Sequence, residues 1–158
     1  MMKIKLNFHR KLSNKERIRF MGNGYLIVRV SAARGTIPLE NALVTGYDAD
    51  KGNSSIVATR YTDSGGRTDK ITLEAPPRAL SESPDSGGVR PYSIYNVDVV
   101  KDGYYDSFNL EVPIFDGVTS VLPVDMLPLA EYDSGQVRPD VGIVTRDREP
   151  PLGNGGTA

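Results

Sequence analysis

The chain is punctuated in a way that leaves few folds open. Between Gly24 and Val124, short runs with apolar side chains at every second position are separated by clusters of Gly, Pro, Asn, Asp and Ser, at spacings of about ten residues. A period of two belongs to a strand with one buried and one solvated face; a helix would need a period of about 3.6. The 16 glycines and 11 prolines fall mainly in the punctuation, so they rule out a helical bundle and place the turns. Seven strands are predicted, over residues 25–33, 43–48, 56–62, 70–74, 93–100, 104–112 and 118–124. Their expected core faces carry Leu26, Val28, Val30 and Ala32, then Ile71 and Leu73, then Tyr95, Val97 and Val99, and finally Phe108 and Leu110. The expectation is an all-β, antiparallel seven-stranded β-sandwich of prealbumin-like or Ig-like type.

Both flanks differ from this middle. Residues 1–23 form a basic N-terminal arm, residues 24–126 the sandwich, and residues 127–158 an irregular Pro/Gly-rich tail or linker. The net charge of −1 hides an asymmetry: residues 1–22 hold seven Lys/Arg against one acid, so the remainder is acidic. Within the arm, residues 2–9 alternate strictly. Met2, Ile4, Leu6 and Phe8 would share one face of a strand, and Lys3, Lys5, Asn7 and His9 the other. Ser13 then offers a cap for one or two helical turns over residues 12–21. Such an arm can be an edge strand of its own domain, or can pair with a neighbouring subunit by strand addition.

Absent residue types remove much chemistry. There is no cysteine, which excludes disulfide frameworks, thiolate metal sites and cysteine nucleophiles, and the single histidine, His9, lies in the arm. No cofactor is expected. The run Asp48-Ala49-Asp50-Lys51-Gly52-Asn53 has the flavour of a calcium loop, but its twelfth position is Thr59 where an EF-hand needs a bidentate Glu, so a plain turn is expected and no metal. Asp98, Asp102, Asp106, Glu111 and Asp116 fall where strand exteriors and turns are ordinarily acidic, and not as a catalytic carboxylate pair. Glycine pairs such as Gly65-Gly66 lack the following Lys-Ser/Thr of a phosphate loop. No aromatic-rich basic surface follows the arm, so nucleic acid is not an expected partner. No apolar run approaches the ~20 residues of a membrane span, and the arm lacks the apolar core of a secretory signal. The eight tyrosines suit either core positions or an interface.

The order of landmarks from Gly24 to Val124 resembles the carboxypeptidase-regulatory-like, transthyretin-like β-sandwich family. The matching pieces are Gly24-Tyr25-Leu26-Ile27-Val28, Ile37-Pro38-Leu39-Glu40-Asn41-Ala42-Leu43-Val44, Thr62-Asp63-Ser64-Gly65-Gly66, and Tyr95-Asn96-Val97-Asp98-Val99 followed by Asp102-Gly103-Tyr104. A narrower likeness lies in Glu74-Ala75-Pro76-Pro77, in residues 90–97, in Leu110-Glu111-Val112-Pro113-Ile114-Phe115 and in residues 122–129. These look like the N-terminal β-domain of spore cortex-lytic enzyme precursors and related peptidoglycan-binding proteins. Longer members of that family continue into a peptidoglycan-binding repeat or a hydrolase domain. The resemblance therefore implies that lytic activity lies outside this stretch, and that the chain is not an enzyme but a non-catalytic binding or assembly module of a bacterial spore or cell envelope.

The alternative is a self-assembling structural protein of a spore appendage or phage-tail-like particle, with the arm making the subunit contacts. The expected partners are a protein or a second copy, with peptidoglycan as a further candidate. The expected contact residues are Ile4, Leu6 and Phe8 on the arm, and Arg90, Tyr92 and Tyr105 on the loops.

Overall fold

The computed structural model describes residues 21–52, 55–80, 90–129 and 143–146. Nine strands follow one another: β1 (Gly22–Ala32), β2 (Ile37–Pro38), β3 (Leu43–Asp48), β4 (Ile56–Tyr61), β5 (Ile71–Ala75), β6 (Ser93–Val100), β7 (Ser107–Ile114), β8 (Thr119–Asp125) and β9 (Ile143–Arg146). Two short 3₁₀ turns, at Ala49–Lys51 and Arg78–Leu80, are the helical content of the described residues.

Two sheets pack face to face. In the narrow sheet, β1 is central, with β8 along one side and β5 and β2 along the other. The wide sheet has the order β4-β3-β6-β7-β9. Their facing sides supply the core, in which Leu26, Val28, Val30, Val44, Val97, Val99, Ile114 and Met126 are fully buried. Each such side chain contributes on the order of 1.5–3 kcal/mol on leaving water. The period-two reading of β1, β5 and β6 holds residue by residue, since Leu26, Val28, Val30, Ala32, Ile71, Leu73, Tyr95, Val97 and Val99 are all buried.

The sheets are mixed, not wholly antiparallel. β8 runs parallel to β1, pairing Tyr25–Ser31 with residues 119–125, and β9 runs parallel to β7. β9 also draws Ile143–Arg146, beyond residue 126, back onto the wide sheet.

Local chemistry accounts for the turns. The Asp63 carboxylate accepts the N–H groups of Gly65 at 2.9 Å and Arg67 at 3.0 Å, while its main-chain N–H donates to the Arg67 carbonyl at 2.8 Å. Gly66 sits there at φ +71°, and a Cβ would run into the Val30 carbonyl oxygen, so only glycine fits. Ahead of β3, the buried Thr62 hydroxyl donates to the Leu39 carbonyl at 2.6 Å and accepts the Ala42 N–H at 2.9 Å. That latch draws Pro38 to Ala42 tightly into the sheet. Lys101-Asp102-Gly103 turns the chain as expected, and Tyr104 packs against the core. The Asp48–Gly52 segment is a turn: Asp48 caps the first 3₁₀ turn by accepting the Asp50 N–H at 3.1 Å and pairs with Lys51 at 2.9 Å.

One strand departs from its predicted phase. Phe108 and Leu110, expected inside, are only half-buried, while the polar Ser107 and Asn109 are 4% exposed. The cause is a bulge. The register with β6 shifts between Tyr95 and Val97, Glu111 takes φ +61°, and its N–H donates to the Asn96 side-chain oxygen at 3.0 Å. The extra residue inverts the alternation, so Val112 and Ile114 turn inward beyond it. Asn109 is tolerated in the interior because its amide donates to the Val97 carbonyl at 3.2 Å.

Candidate functional site

Among the described residues, the unequal widths of the two sheets leave one long side of the sandwich open. β4 is an edge strand of the wide sheet, paired among the described residues with β3 alone, and none of its six residues is buried. Ile56 is 61% exposed, Val57 40% and Tyr61 64%, although a β-branched and aromatic run of this kind ordinarily packs against a second layer. Register assigns the faces. Ala58 lies opposite Gly46 and Arg60 opposite Val44, so both share the sandwich-inner face, while Ile56, Thr59 and Tyr61 share the outer one. β5 is the strand of the narrow sheet on this same side. Between them lies a small apolar notch lined by Ile71 and Leu73 of β5, Val44 and Gly46 of β3, Ala58 of β4 and Tyr95 of β6. Gly46 and Ala58 lack the side-chain volume to fill it.

The β5 edge carries directional groups as well. The Val28 N–H donates to Thr68 Oγ1 and the Val30 N–H to the Gly66 carbonyl, so the even-numbered residues of β1 turn their amides toward the β5 side. Their partners on β5 are Ile71, Leu73 and Ala75. Alternation then turns the amides of Thr72 and Glu74 away from β1, onto the open edge. There the Glu74 carbonyl accepts the Tyr95 hydroxyl at 2.8 Å, a bond that ties the wide sheet to the narrow one at the mouth of the notch. Burial, reinforced by the charges of Asp48 and Glu74, pushes the Tyr95 hydroxyl up to about 12.

A second polar group lies on the outer face of the wide sheet. Burial raises Tyr47 above the usual tyrosine range, with the charge of Asp98 and a hydrogen bond to it adding to the effect. Asp98 is itself raised by burial and by the charge of Asp106, with the Tyr47 hydrogen bond opposing. Among the described residues, no three His, Asp or Glu side chains gather as a metal ion would require.

The residues expected to make contacts are spread apart. Ile4, Leu6 and Phe8 lie outside the described residues. Arg90 lies at one end of the sandwich, where its guanidinium meets the Asp50 carboxylate at 2.8 and 2.9 Å and stands 5.9 Å from the Tyr92 ring centre. Tyr92 is 3% exposed, with its ring 5.2 Å from that of Phe115, so it serves the packing of that end and offers little surface to a partner. Tyr105 is half-buried and donates its main-chain N–H to the Leu127 carbonyl at 2.9 Å. The seam residues Ile56, Tyr61, Thr72 and Glu74 were not singled out from the sequence. The signal available was the consecutive apolar run Ile56-Val57-Ala58, which touches both alternating faces as a buried central strand does.

No family model matches the chain, and no curated protein matches its sequence. Solved structures do. The TIE protein of Bacillus anthracis aligns over 68% of this chain and 17% of its own, at 14% identity and a TM-score of 0.45. A minor pilin of Streptococcus agalactiae aligns over 70% of this chain and 47% of its own, at 14% identity and a TM-score of 0.46. Catechol 1,2-dioxygenase of Acinetobacter radioresistens aligns over 84% of this chain and 60% of its own, at 13% identity and a TM-score of 0.48. The chain thus spans less than two thirds of the length of each. None of these three is a spore cortex-lytic protein, and the resemblance read from the sequence stands at the level of a β-sandwich domain. The expectation that the chain is not an enzyme is corrected: catechol dioxygenases are similar to it to the same degree as the pilin, and a sandwich hosts unrelated sites on the same frame. No helix among the described residues is long and apolar enough to cross a membrane.

Proposed function

We propose that this protein is a self-assembling module of a bacterial cell surface that joins neighbouring subunits through its N-terminal arm. The observation that carries the reading is the open seam: an apolar notch beside an edge whose amides are directed outward, next to an edge strand β4 that leaves Ile56, Val57 and Tyr61 exposed. Edges of this kind are templates for strand addition, and natural sheets ordinarily blunt or cover them. The arm supplies a matching element, with Ile4, Leu6 and Phe8 on one face of an alternating run. The organisation that accompanies the reading is an arm over residues 1–23, a sandwich over 24–126, and a tail over 127–158 from which β9 returns to the wide sheet.

The envelope or spore setting, and peptidoglycan as a further partner, follow from the family resemblance. Assembly is preferred because an apolar edge is chemistry for a protein partner, not for a glycan. Light scattering tests it. The full chain should form oligomers, and a variant lacking residues 1–20, which leaves β1 intact, should be monomeric. A monomeric full chain overturns the reading. Retention of the protein on purified peptidoglycan would support the glycan partner in addition.

A further inference from the structure

We propose that the seat of the arm is the β5 edge, and that its occupant is residues 2–8 of a second copy, added as a further strand of the narrow sheet. This rests on the assembly reading above and identifies the docking site within it. Four observations converge on this edge.

The first is coverage. The wide sheet extends to β4 on this side, whereas among the described residues the narrow sheet stops at β5, so on the inner face of β4 Ala58 packs only partly against the core and Arg60 beside it is exposed. One strand at the usual spacing of about 4.8 Å from β5 would lie over that face and equalise the layers. The second is hydrogen bonding: Thr72 turns its N–H and carbonyl to this side and Glu74 its N–H, as a fresh ladder requires, while the Glu74 carbonyl already accepts the Tyr95 hydroxyl.

The third is side-chain parity. Ile71, Leu73 and Ala75 of β5 face the core, while Thr72 and Glu74 face solvent. A paired arm strand with Ile4, Leu6 and Phe8 inward extends the apolar face over the notch. It also sets Lys3 and Lys5 on the outer face beside Glu74. The fourth is charge, since a strongly basic segment meets a domain that is acidic as a whole. Arg60 shares the inner face, and the inward residues of the arm are uncharged, so the two do not repel.

A second copy is favoured over the chain's own arm by the corner where β1 begins. The exit of β5 crosses there. Asp116 accepts the Asn23 N–H at 3.1 Å and the Arg78 N–H at 3.1 Å, and Gly117 donates to the Asn23 carbonyl at 2.9 Å. An arm leaving Gly22 must detour around this crossing to reach the far side of β5. Among the described residues, no strand lies beyond β5 on that edge for an arm from another copy to displace.

The absence of cysteine makes the test clean. Single variants Lys3→Cys, Lys5→Cys and Asn7→Cys are each mixed with Thr72→Cys under mild oxidation, and the three corresponding double variants are oxidised alone. All four positions are on polar faces, so folding is spared. The expected result is a covalent dimer in at least one mixture, lost in 1 M salt or when excess arm peptide is added. A crosslinked monomer from a double variant, with no dimer in any mixture, overturns the proposal in favour of the chain's own arm. Arm-dependent oligomers by light scattering, with no crosslink at Thr72, overturn the β5 seat and leave the assembly reading standing. Absence of both oligomer and crosslink removes the two together.

Discussion

The Tyr95 hydroxyl donates to the Glu74 carbonyl across the two sheets at 2.8 Å, at the point where the β5 edge meets the apolar notch. Its proton is held up to about 12 against an ordinary 10.0, chiefly by burial. A raised value in the folded state means that this stabilisation is complete below pH 10 and is lost as pH rises toward 12. Unfolding by urea should therefore show the wild type losing stability over that interval faster than Tyr95→Phe. Below pH 10, Tyr95→Phe should be less stable by about 1 kcal/mol, the net value of one hydrogen bond. Parallel curves for the two proteins above pH 10 would contradict the assignment.

Asp98 is raised above its ordinary 3.8, first by burial. The sign follows: its protonated form is favoured by folding, so the stabilisation is present below 3.8 and is lost as pH rises through the folded-state value. Asp98→Asn keeps an oxygen to accept from the Tyr47 hydroxyl without the buried charge. It should be more stable than the wild type at pH 7, with the margin closing toward pH 4, as thermal melts across that range will show.

Gly66 is fixed by both conformation and space. Gly66→Ala should cost more than about 2 kcal/mol, since left-handed backbone alone costs 1–2 kcal/mol for a residue with a Cβ. The added methyl group would also meet the Val30 carbonyl. Gly103→Ala is the control, because at φ +83° nothing lies within 4 Å of its Cβ, so only the conformational part should appear. Equal losses in urea titrations would show that the contact with β1 contributes nothing.

Ala33 and Arg34 occupy left-handed backbone at φ +53° and +57° between β1 and β2, with the Asp125 carboxylate accepting the Arg34 N–H at 3.2 Å and the Gly35 N–H at 3.4 Å. Ala33→Gly relieves strain and should raise stability by about 0.5–1 kcal/mol. Asp125→Ala removes the brace and should lower it by a similar amount. A melting temperature that moved the other way in either variant would reject the account.

Thr62→Val removes a hydroxyl that satisfies two main-chain groups, the Leu39 carbonyl and the Ala42 N–H, in the interior. The loss should be about 1–3 kcal/mol, the cost of leaving buried polar groups unpaired. Thr62→Ser, which keeps the hydroxyl, should recover most of it by the same measurement.

Much of this protein was legible along the chain, because alternation and turn residues act over a few positions. Leu26, Val28, Val30 and Ala32 could be assigned to the core without knowing what they would touch, and Asp63 with Gly66 announced a tight turn by their own chemistry. The phase of β7 was not legible. Its inversion depends on Glu111 standing opposite Asn96, a residue on another strand, so Ser107 and Asn109 went inside against their polarity.

The open seam is a matter of tertiary structure throughout. By itself the sequence determined an all-β chain, its turns, most core faces and a basic alternating arm, since these depend on local period and residue type. Which strand lies at an edge, that β8 runs parallel to β1, and that among the described residues the narrow sheet ends one strand short of β4 were decided only when the two sheets packed. Ile56 and Tyr61 illustrate the difference: β-branched and aromatic residues read the same in a covered strand and in an exposed one, and only the packing of the two sheets left β4 at an edge with both of them exposed.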